Sequence, residues 1–452
     1  MGKLIRYDLG TNFDPALFDF IKENDKDHRI KTLYGKVKED GLPGGRAAAV
    51  LSDFSFDQLP GYIQKCKELG ISFNYLINPL CMGQLEVDPK TAKGLRDTIH
   101  KIYDCGVREI TVNSPLLVKY LRQEFPDMYI TLGLYAYPMT LRQVQMWANW
   151  GVNEITLDHS FNRNFELLEQ TFTAFKDTDI HLRLIANNFC LKDCTFRLAH
   201  GTYASHGDAT GFVMDYQALN CAYQKITHPA SMITSEWIRP EDVHYFEELC
   251  EKTGFKNFSL KLVDRLRTTD FLKNVISAYL NERYDGNLLD ILNWSSKKNM
   301  GFTDRNQERP VMKNMEYYSK PWETLPLYAQ AVTYPNIYID NRALDGFFDH
   351  FVNHNNCTKT LCKDAVLTGD NDTFACGYCQ SVAEKAISYD EAEVAAWKAN
   401  VEKLFNTMET ASFTNGVPMM GGPMGGPMGG PMGGPMGGPM GGPMGGPNGN
   451  NQ

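Results

Sequence analysis

The chain has 452 residues with a formal net charge of −9, 43% hydrophobic residues and 22% charged residues, which is an ordinary composition for a globular protein. An acidic chain gains little from counterion release, so this charge argues against broad binding to nucleic acid. No apolar run approaches the roughly eighteen residues of a membrane helix, and the opening MGKLIRYDLGTNFD has no apolar signal core, so we expect a cytoplasmic protein.

Strand-like runs alternate with helix-like segments over the first 265 residues. Eight such runs occur in chain order, namely KTLYG, ISFNYLIN, EITVN, YITLGLYA, EITLDH, IHLRLIANN, SMITSEWI and FSLKLVD. The segments between them, such as AKGLRDTIHKIYDCG and TLRQVQMWANWG, show helical spacing of apolar residues and end on a glycine suited to a helix C-cap. Eight βα units predict an α/β protein with a closed (β/α)8 TIM-like barrel over residues 1–265; a doubly wound open sheet is the alternative.

Polar residues follow most of the predicted strands, at the end where barrel enzymes have their active sites. The second to fifth predicted strands are followed by Asn78 and Cys81, by Asn113, by Tyr135, and by Asp158 and His159. The last three are followed by Asn187, Asn188, Cys190 and Cys194, by Glu236 and Arg239, and by Asp264 and Arg265. We therefore expect these side chains to share one face of the barrel.

The pattern changes after the eighth predicted strand. A helix-like segment, TTDFLKNVISAYLNERYDG, opens a C-terminal extension that we place at residues 266–400 and expect to fold back on the barrel. Residues 417–452 are mostly a Gly-Gly-Pro-Met repeat. Glycine does not recur at every third position, which excludes collagen, and this composition predicts a disordered tail.

The eleven cysteines fall into separate groups, and cytosolic thiols are kept reduced, so clustered cysteines indicate metal or redox chemistry. Cys66, Cys105 and Cys250 lie at apolar positions of predicted helices, where cysteine acts as a small hydrophobic residue. A first set lies in predicted loops at or beyond strand ends and comprises Cys81, Cys190, Cys194 and Cys221. Such thiolates favour an iron-sulfur cluster or structural zinc, and His200, His206 and His228 are alternative ligands.

The second cysteine set lies in the extension with the spacing C-x4-C-x13-C-x2-C, at Cys357, Cys362, Cys376 and Cys379. Two thiol pairs separated by a loop are typical of a metal site closed by four ligands. The spacing does not distinguish zinc from an iron-sulfur cluster.

Over roughly residues 50–290 the chain resembles the collagenase-type peptidase family U32. The resemblance rests, in order, on FNYLIN, NSPLLVKYLRQEFPDMYI, GVNEITLDH, the cysteine motif, IRPED and K-x-V-D-R. It implies a barrel with a [4Fe-4S] cluster held by Cys190, Cys194 and Cys221, with Cys81 as the preferred fourth ligand and Cys250 as the alternative. Family members are described as proteases, or as oxygen-independent hydroxylation and RNA-modification proteins, some of which act with a partner subunit.

We interpret the chain as an iron-sulfur-dependent barrel enzyme for oxygen-independent hydroxylation or a related redox modification. In this interpretation Asn78, Asn113, Tyr135, Asn187 and Arg239 surround the cluster and bind a substrate oxygen donor. Arg239 and Glu241 have an alternative interpretation as a structural anchor, and Arg46 in GLPGGR is either a carboxylate or phosphate ligand or a plain loop residue.

Two other functions stay open. A peptidase has only Asp158 beside His159 as a candidate base, and the sequence contains no HExxH or G-x-S-x-G motif. A non-catalytic iron-sulfur or zinc assembly protein would use the methionines of the tail to bind an apolar partner. The substrate, whether a small molecule, RNA or a peptide, is not specified by the sequence.

Overall fold

A computed structural model of the chain describes residues 5–46, 48, 51–210, 215–294, 325–354, 361–362 and 375–412. Its centre is a closed barrel of eight parallel strands, each paired with the next and β8 paired with β1, which confirms the predicted fold class. The strands are Arg6–Gly10 (β1), Ile30–Gly35 (β2), Ser72–Ile77 (β3), Glu109–Val112 (β4), Tyr129–Leu132 (β5), Glu154–Thr156 (β6), His181–Ile185 (β7) and Phe258–Leu262 (β8).

Helices connect the strands and bury their apolar faces against the barrel, as in other (β/α)8 folds. They are Ala16–Asn24 (α1), Leu59–Glu68 (α2), Ala92–Asp104 (α3), Pro115–Glu124 (α4), Leu141–Trp150 (α5), Phe165–Phe175 (α6), Arg197–Thr210 (α7), Tyr216–Thr227 (α8), Ala230–Thr234 (α9), Val243–Thr253 (α10) and Thr269–Asn281 (α11). Among the described residues, no helix has the length and apolar character to cross a membrane.

The eight strands are not the eight runs of the sequence prediction. The first strand, RYDLG, carries alternating charges and was not predicted, whereas SMITSEWI is wrong as a strand. Its first half forms α9, and the carbonyls of Ser235 and Trp237 accept hydrogen bonds from the Arg163 guanidinium instead of a neighbouring strand. Glu236 and Arg239 therefore follow a loop and not a strand end.

The described part of the extension packs on the barrel through short elements. They are Leu325–Ala331 (α12), Ile337–Ile339 (β9), Asp349–His354 (α13), Leu361–Cys362 (β10), Ala375–Cys376 (β11), Tyr378–Ala386 (α14), Ile387–Tyr389 (β12) and Glu391–Glu409 (α15). Tyr223 on α8 donates to Glu402 on α15 at 2.6 Å, and Arg239 donates to the Asn341 carbonyl at 2.7 Å. Residues 413–452, including the repeat, lie outside the described residues.

The interior of the barrel is polar and charged. Arg183 of β7 is 1% exposed and donates through Nε to Thr156 at 2.8 Å, with Nη1 at 3.8 Å from Asp8 and 3.7 Å from Glu154. Lys31 lies 3.1 Å from the same Glu154 carboxylate and 3.7 Å from Asp8. Two carboxylates thus share two cations inside the barrel, where burial makes each charge depend on its partners.

His181 at the start of β7 should make stability depend on pH. Burial lowers the pKa of His181 from 6.5 to about 4, although Glu154 opposes the shift. The unfolded chain then binds the proton more readily, so the contribution of neutral His181 is complete above pH 6.5 and is lost as the pH falls towards 4. Between pH 7 and 5 the loss attributable to this residue is about 2 kcal/mol in the free energy of unfolding.

Urea unfolding of wild type and His181→Gln at pH 5, 6 and 7 measures this loss. The variant should show a flatter pH dependence, while a variant of the exposed His228, His228→Gln, should follow wild type. Equal slopes for wild type and His181→Gln would contradict the assignment.

Candidate functional site

The carboxyl ends of the strands form a mouth in which two polar groups lie side by side. The turn Leu134–Ala136 after β5 carries Tyr135, and Tyr137 follows in a left-handed conformation with φ of 46°. The Tyr135 and Tyr137 rings are 6.1 Å apart between centroids. A side chain other than glycine seldom adopts such a backbone, and residues of this kind concentrate at functional sites. Tyr135 belongs to one of the two groups described next, and Tyr137 lies between that group and the other, with both Tyr135 and Cys190 among its electrostatic neighbours.

The first group is the thiol cluster, which we define as Cys190, Cys194 and Cys221. Cys190 and Cys194 lie in the loop after β7, as predicted, whereas Cys221 lies on α8 and not in a loop. This helix forms because Asp215 caps its first turn by accepting from the Ala218 amide at 2.8 Å. The cap and the helix turn Cys221 towards the strand-end loop that carries the other two thiols.

Lys225, one turn after Cys221, links the helix to that loop. The residue is 1% exposed, and its Nζ donates to Cys221 Sγ at 3.1 Å and to the Phe189 carbonyl. Burial raises the pKa of Cys190 to about 11, an effect opposed by Lys225 and reinforced by Cys221 and Cys194. Burial also raises the pKa of Cys194. The three thiols share one electrostatic environment, with a buried ammonium that favours negatively charged sulfur.

Asp158 and His159 lie beside the thiol cluster. Asp158 is fully buried and lies 2.6 Å from Arg197 Nη1; burial would raise its pKa, but Arg197 and then His159 hold it below the usual value. Burial lowers the pKa of His159 to about 4, so its ring is neutral at pH 7. The His159 Nε2 is 2.7 Å from Asn188 Nδ2, and the same amide donates to Cys190 Sγ at 3.2 Å.

The second group is the arginine patch, which we define as Arg46, Tyr135, Asp264 and Arg265. Arg46 Nη2 lies 3.3 Å from Asp264 Oδ2, and Nη1 donates to the Tyr135 hydroxyl at 3.4 Å. Burial would raise the pKa of Asp264, yet Arg46, Arg267 and Arg265 together lower it. Asn78 lies against this group and accepts from the Gly45 amide at 3.3 Å.

Three other predicted site residues are held by backbone contacts. Asn187 is fully buried; its Nδ2 donates to the carbonyls of Val263 and Ile291, and its Oδ1 accepts from the Val263 amide. Asn113 donates to the Pro79 carbonyl at 3.0 Å, while its Oδ1 has no partner among the described residues. Arg239 is also buried. Their contacts join strand ends and loops.

The contacts of Arg239 differ from the alternative pairing considered from sequence. Arg239 forms a two-pronged pair with Asp242, at 2.9 and 2.8 Å, and Glu241 instead contacts Arg342 of the extension. Both side chains attach the extension to the barrel, because Arg239 also donates to the Asn341 carbonyl.

The two candidates for a fourth cluster ligand lie in different surroundings. Cys81 is exposed, and its amide lies 3.4 Å from Ser205 Oγ on α7. Cys250 is buried on α10. Burial raises its pKa to about 12, and the nearby Glu247 and Glu251 carboxylates add smaller increases. Cys66 is buried on α2 and Cys105 ends α3, in keeping with structural positions for both.

The second cysteine set is only partly described. Cys357 lies outside the described residues, and for Cys362 only the backbone is described. The parallel pair of β10 and β11 places Cys362 opposite Cys376, and Cys379 follows on the first turn of α14. The fold therefore brings three positions of this set into one small region.

The thiol cluster has the donors of an iron-sulfur site but not the geometry of a single-ion site. Within the described ranges, no group of three or more Cys, His, Asp or Glu side chains is arranged to hold a metal ion. The donor set nevertheless fits an iron-sulfur cluster, whose irons keep their thiolates further apart than a single ion does. Three cysteines on a strand-end loop and a facing helix, beside a buried ammonium, suit an anionic cluster.

Several residues at the mouth were not identified from the sequence, among them Tyr137, Arg197 and Lys225. Arg197 opens α7 and lies over the Tyr137 ring at 5.2 Å, so it connects Asp158 with both groups. The AHGTYASHG stretch around it shows no clear apolar period, and Lys225 resembles an ordinary helix-surface lysine. The one sequence feature that pointed to Lys225 was its spacing, four positions after Cys221, which places the two side chains on the same face of a helix.

Comparison with known proteins confirms the resemblance to family U32. Residues 41–164 match the sequence pattern of peptidase family U32. A protein of Methanocaldococcus jannaschii, named an uncharacterized protease, is 25% identical over 370 residues, which span 80% of this chain and 93% of that protein.

Solved structures also align with the chain. A U32 peptidase structure is 18% identical, with a TM-score of 0.41 over 58% of this chain and 95% of that one. A chitinase catalytic domain from Pyrococcus furiosus is 9% identical, with a TM-score of 0.29 over 57% of this chain and 83% of that one.

Proposed function

We propose that this barrel protein of the U32 type is an iron-sulfur enzyme that hydroxylates a substrate, or modifies it by related redox chemistry, without molecular oxygen. The observation that carries the proposal is the thiol cluster beside buried Lys225 at the barrel mouth. Cys190, Cys194 and Cys221 would hold a [4Fe-4S] cluster, with Cys81 or Cys250 as a fourth ligand or one iron left open. When bound, the cluster would supply one-electron transfer or an open iron that polarises an oxygen atom.

The reaction balances with an organic oxygen donor. The C–H bond of the substrate and the C–O bond of the donor break, and R–H plus D–OH gives R–OH plus D–H. The substrate loses two electrons and the donor gains them. In this scheme the chain binds both molecules and excludes water, which strengthens the electrostatic contacts inside the mouth.

The side chains of the chain have distinct tasks in this proposal. Lys225 Nζ stabilises negative charge on the thiolates, and Asn188 Nδ2 fixes the position of Cys190 Sγ. The pair of Asp158 and Arg197 fixes Tyr137 at the boundary with the arginine patch. Asn187 and Arg239 act as positioning residues, because their polar groups are occupied by backbone and by Asp242.

A metal analysis of anaerobically purified protein tests the proposal. Iron, acid-labile sulfide and zinc per chain are measured for wild type, Cys190→Ala plus Cys194→Ala, and Cys376→Ala plus Cys379→Ala, with Cys105→Ala as the control. We expect about four irons per chain to disappear with the first pair and to remain in the control. The second pair reports separately whether the extension binds zinc or a second cluster.

The iron content decides whether the protein is an iron-sulfur enzyme and where its cluster lies. A wild-type protein that lacks iron after anaerobic purification and reconstitution would refute the iron-sulfur assignment. Iron that persists in the Cys190→Ala plus Cys194→Ala variant would place any cluster elsewhere.

A peptidase is the second candidate, favoured by the name of the Methanocaldococcus jannaschii relative. The only base that the sequence suggested, His159, has its Nε2 engaged by Asn188 and lies beneath the surface at 2% exposure. Hydrolysis of a denatured-collagen substrate by metal-free protein, abolished in His159→Gln, would favour this candidate over the redox enzyme.

A further inference from the structure

The loop of residues 41–46 lies over the barrel mouth and brings Arg46 to the ends of β5 and β8. A Cβ atom on Gly45 would lie 3.2 Å from the Tyr135 ring and 3.3 Å from Asn78 Nδ2, so the close approach of this loop depends on glycine. A Cβ atom on Gly10 would lie 2.9 Å from the Arg265 backbone nitrogen. Glycines at both positions let two arginines converge on Asp264.

Arg46 retains binding capacity in this arrangement. Its Nη1 donates to the Gly45 carbonyl at 2.9 Å and to the Tyr135 hydroxyl at 3.4 Å, and its Nη2 lies 3.3 Å from Asp264. The side chain is 34% exposed. A guanidinium has five N–H donors in a planar fork that matches a carboxylate or phosphate group. These partners of Arg46 contact Nη1 and Nη2 and use part of this fork, and the side chain keeps an exposed fraction.

Arg265 is a buried cation with an unsatisfied donor. The residue is 6% exposed, and its Nε has no hydrogen-bond partner among the described residues. Burial lowers the pKa of Arg265, and Arg46 adds to this while Asp264 opposes it. Asp264 already pairs with Arg46. A buried charge without full compensation is costly, so a further anion beside Arg265 would be stabilised.

We propose that the arginine patch is a binding site for one oxyanion group of the substrate, a carboxylate or a phosphate, held by Arg46 and Arg265 with the Tyr135 hydroxyl. This deepens the proposed function and rests on it for the reaction, but not for the binding itself. Tyr135 adjoins Tyr137, whose electrostatic neighbours include Cys190. A molecule anchored at the arginine patch therefore extends over the tyrosines towards the thiol cluster.

Equilibrium dialysis of the full-length protein with radiolabelled inorganic phosphate and, separately, with radiolabelled succinate tests the site. We compare wild type, Arg46→Gln, Arg46→Lys, Arg265→Gln and the control Arg142→Gln, an exposed arginine on α5. We expect one saturable site per chain in wild type and in the control, and affinity at least about tenfold weaker in Arg46→Gln. Arg46→Lys should bind the anion more tightly than Arg46→Gln but less tightly than wild type, because lysine keeps the charge and loses the planar fork of donors.

The two probes distinguish the sources of the anion. Tighter binding of phosphate indicates a phosphorylated substrate, and tighter binding of succinate indicates an organic acid. Absence of saturable binding of either probe at 0.1 M ionic strength would overturn the proposal, as would equal affinities of wild type and Arg46→Gln. Arg265→Gln is compared with wild type only when the two proteins have the same melting temperature; if they differ, Arg46→Gln alone decides the test.

Iron content is measured in the same samples. Loss of anion binding with unchanged iron in Arg46→Gln supports the oxyanion site. Iron-free wild type that still binds the anion refutes the proposed function and leaves the site intact.

Discussion

Replacement of Arg183 by methionine should destabilise the barrel by about 3–5 kcal/mol, because it leaves buried carboxylates with one cation fewer. Asp8 and Glu154 are at most 1% exposed and share Arg183 with Lys31. Methionine has a similar length but offers neither the charge nor the hydrogen bond that Arg183 donates to Thr156. Urea unfolding at pH 7, followed by circular dichroism, measures the difference.

A second variant distinguishes charge from packing. Arg183→Met plus Glu154→Gln removes one of the two carboxylates as well, so we expect it to be more stable than Arg183→Met alone. Arg142→Met, on the exposed side of α5, should change the free energy of unfolding by less than about 0.5 kcal/mol. If Arg183→Met unfolds with the midpoint of wild type, the ion network does not stabilise the barrel.

The repeated βα pattern was sufficient to predict the barrel, but not every strand in it. Runs such as FNYLI and EITV are rich in residues of strong β-propensity, so they were recognised as strands. RYDLG was missed because Asp8 faces the polar interior, where a charge is compensated by residues far away in sequence. The interior network joins β1, β2, β6 and β7, and no local pattern encodes such partners.

The cysteine motif predicted where two of the thiols lie in the barrel, but not the element that carries the third. Cys190 and Cys194 follow a recognisable strand and therefore lie at the mouth. Cys221 was assigned to a loop because the stretch before it lacks apolar period, yet Asp215 starts a helix there. The arginine patch was only partly predictable. Arg46 follows a glycine-rich turn and Arg265 follows the eighth predicted strand, but their approach to each other depends on closure of the barrel between β8 and β1, which no local pattern shows.

Replacement of Arg163 by methionine is the second change for which we expect a large effect. Its guanidinium donates to the carbonyls of Ile233, Ser235 and Trp237, and its carbon Cζ lies 4.5 Å from the Trp237 ring centre. The variant leaves these buried carbonyls without their donor, at a cost of about 1–3 kcal/mol for each one not rescued by water. We expect a total loss of about 3 kcal/mol or more in the free energy of unfolding.

Hydrogen exchange shows where the Arg163→Met loss acts. Arg163 also lies 4.9 Å from the Phe347 ring and 5.3 Å from the Phe351 ring, so it joins the 233–237 segment to the extension. Amides of residues 230–239 and 347–352 should exchange faster in the variant, while those of β3 and β4 keep their protection. Arg163→Lys retains the charge without the planar fork, so its exchange rates in these segments should lie between those of wild type and Arg163→Met. Uniform acceleration across all strands would instead mean that Arg163 stabilises the barrel as a whole, and that the segment misread as a strand depends on other contacts for its path.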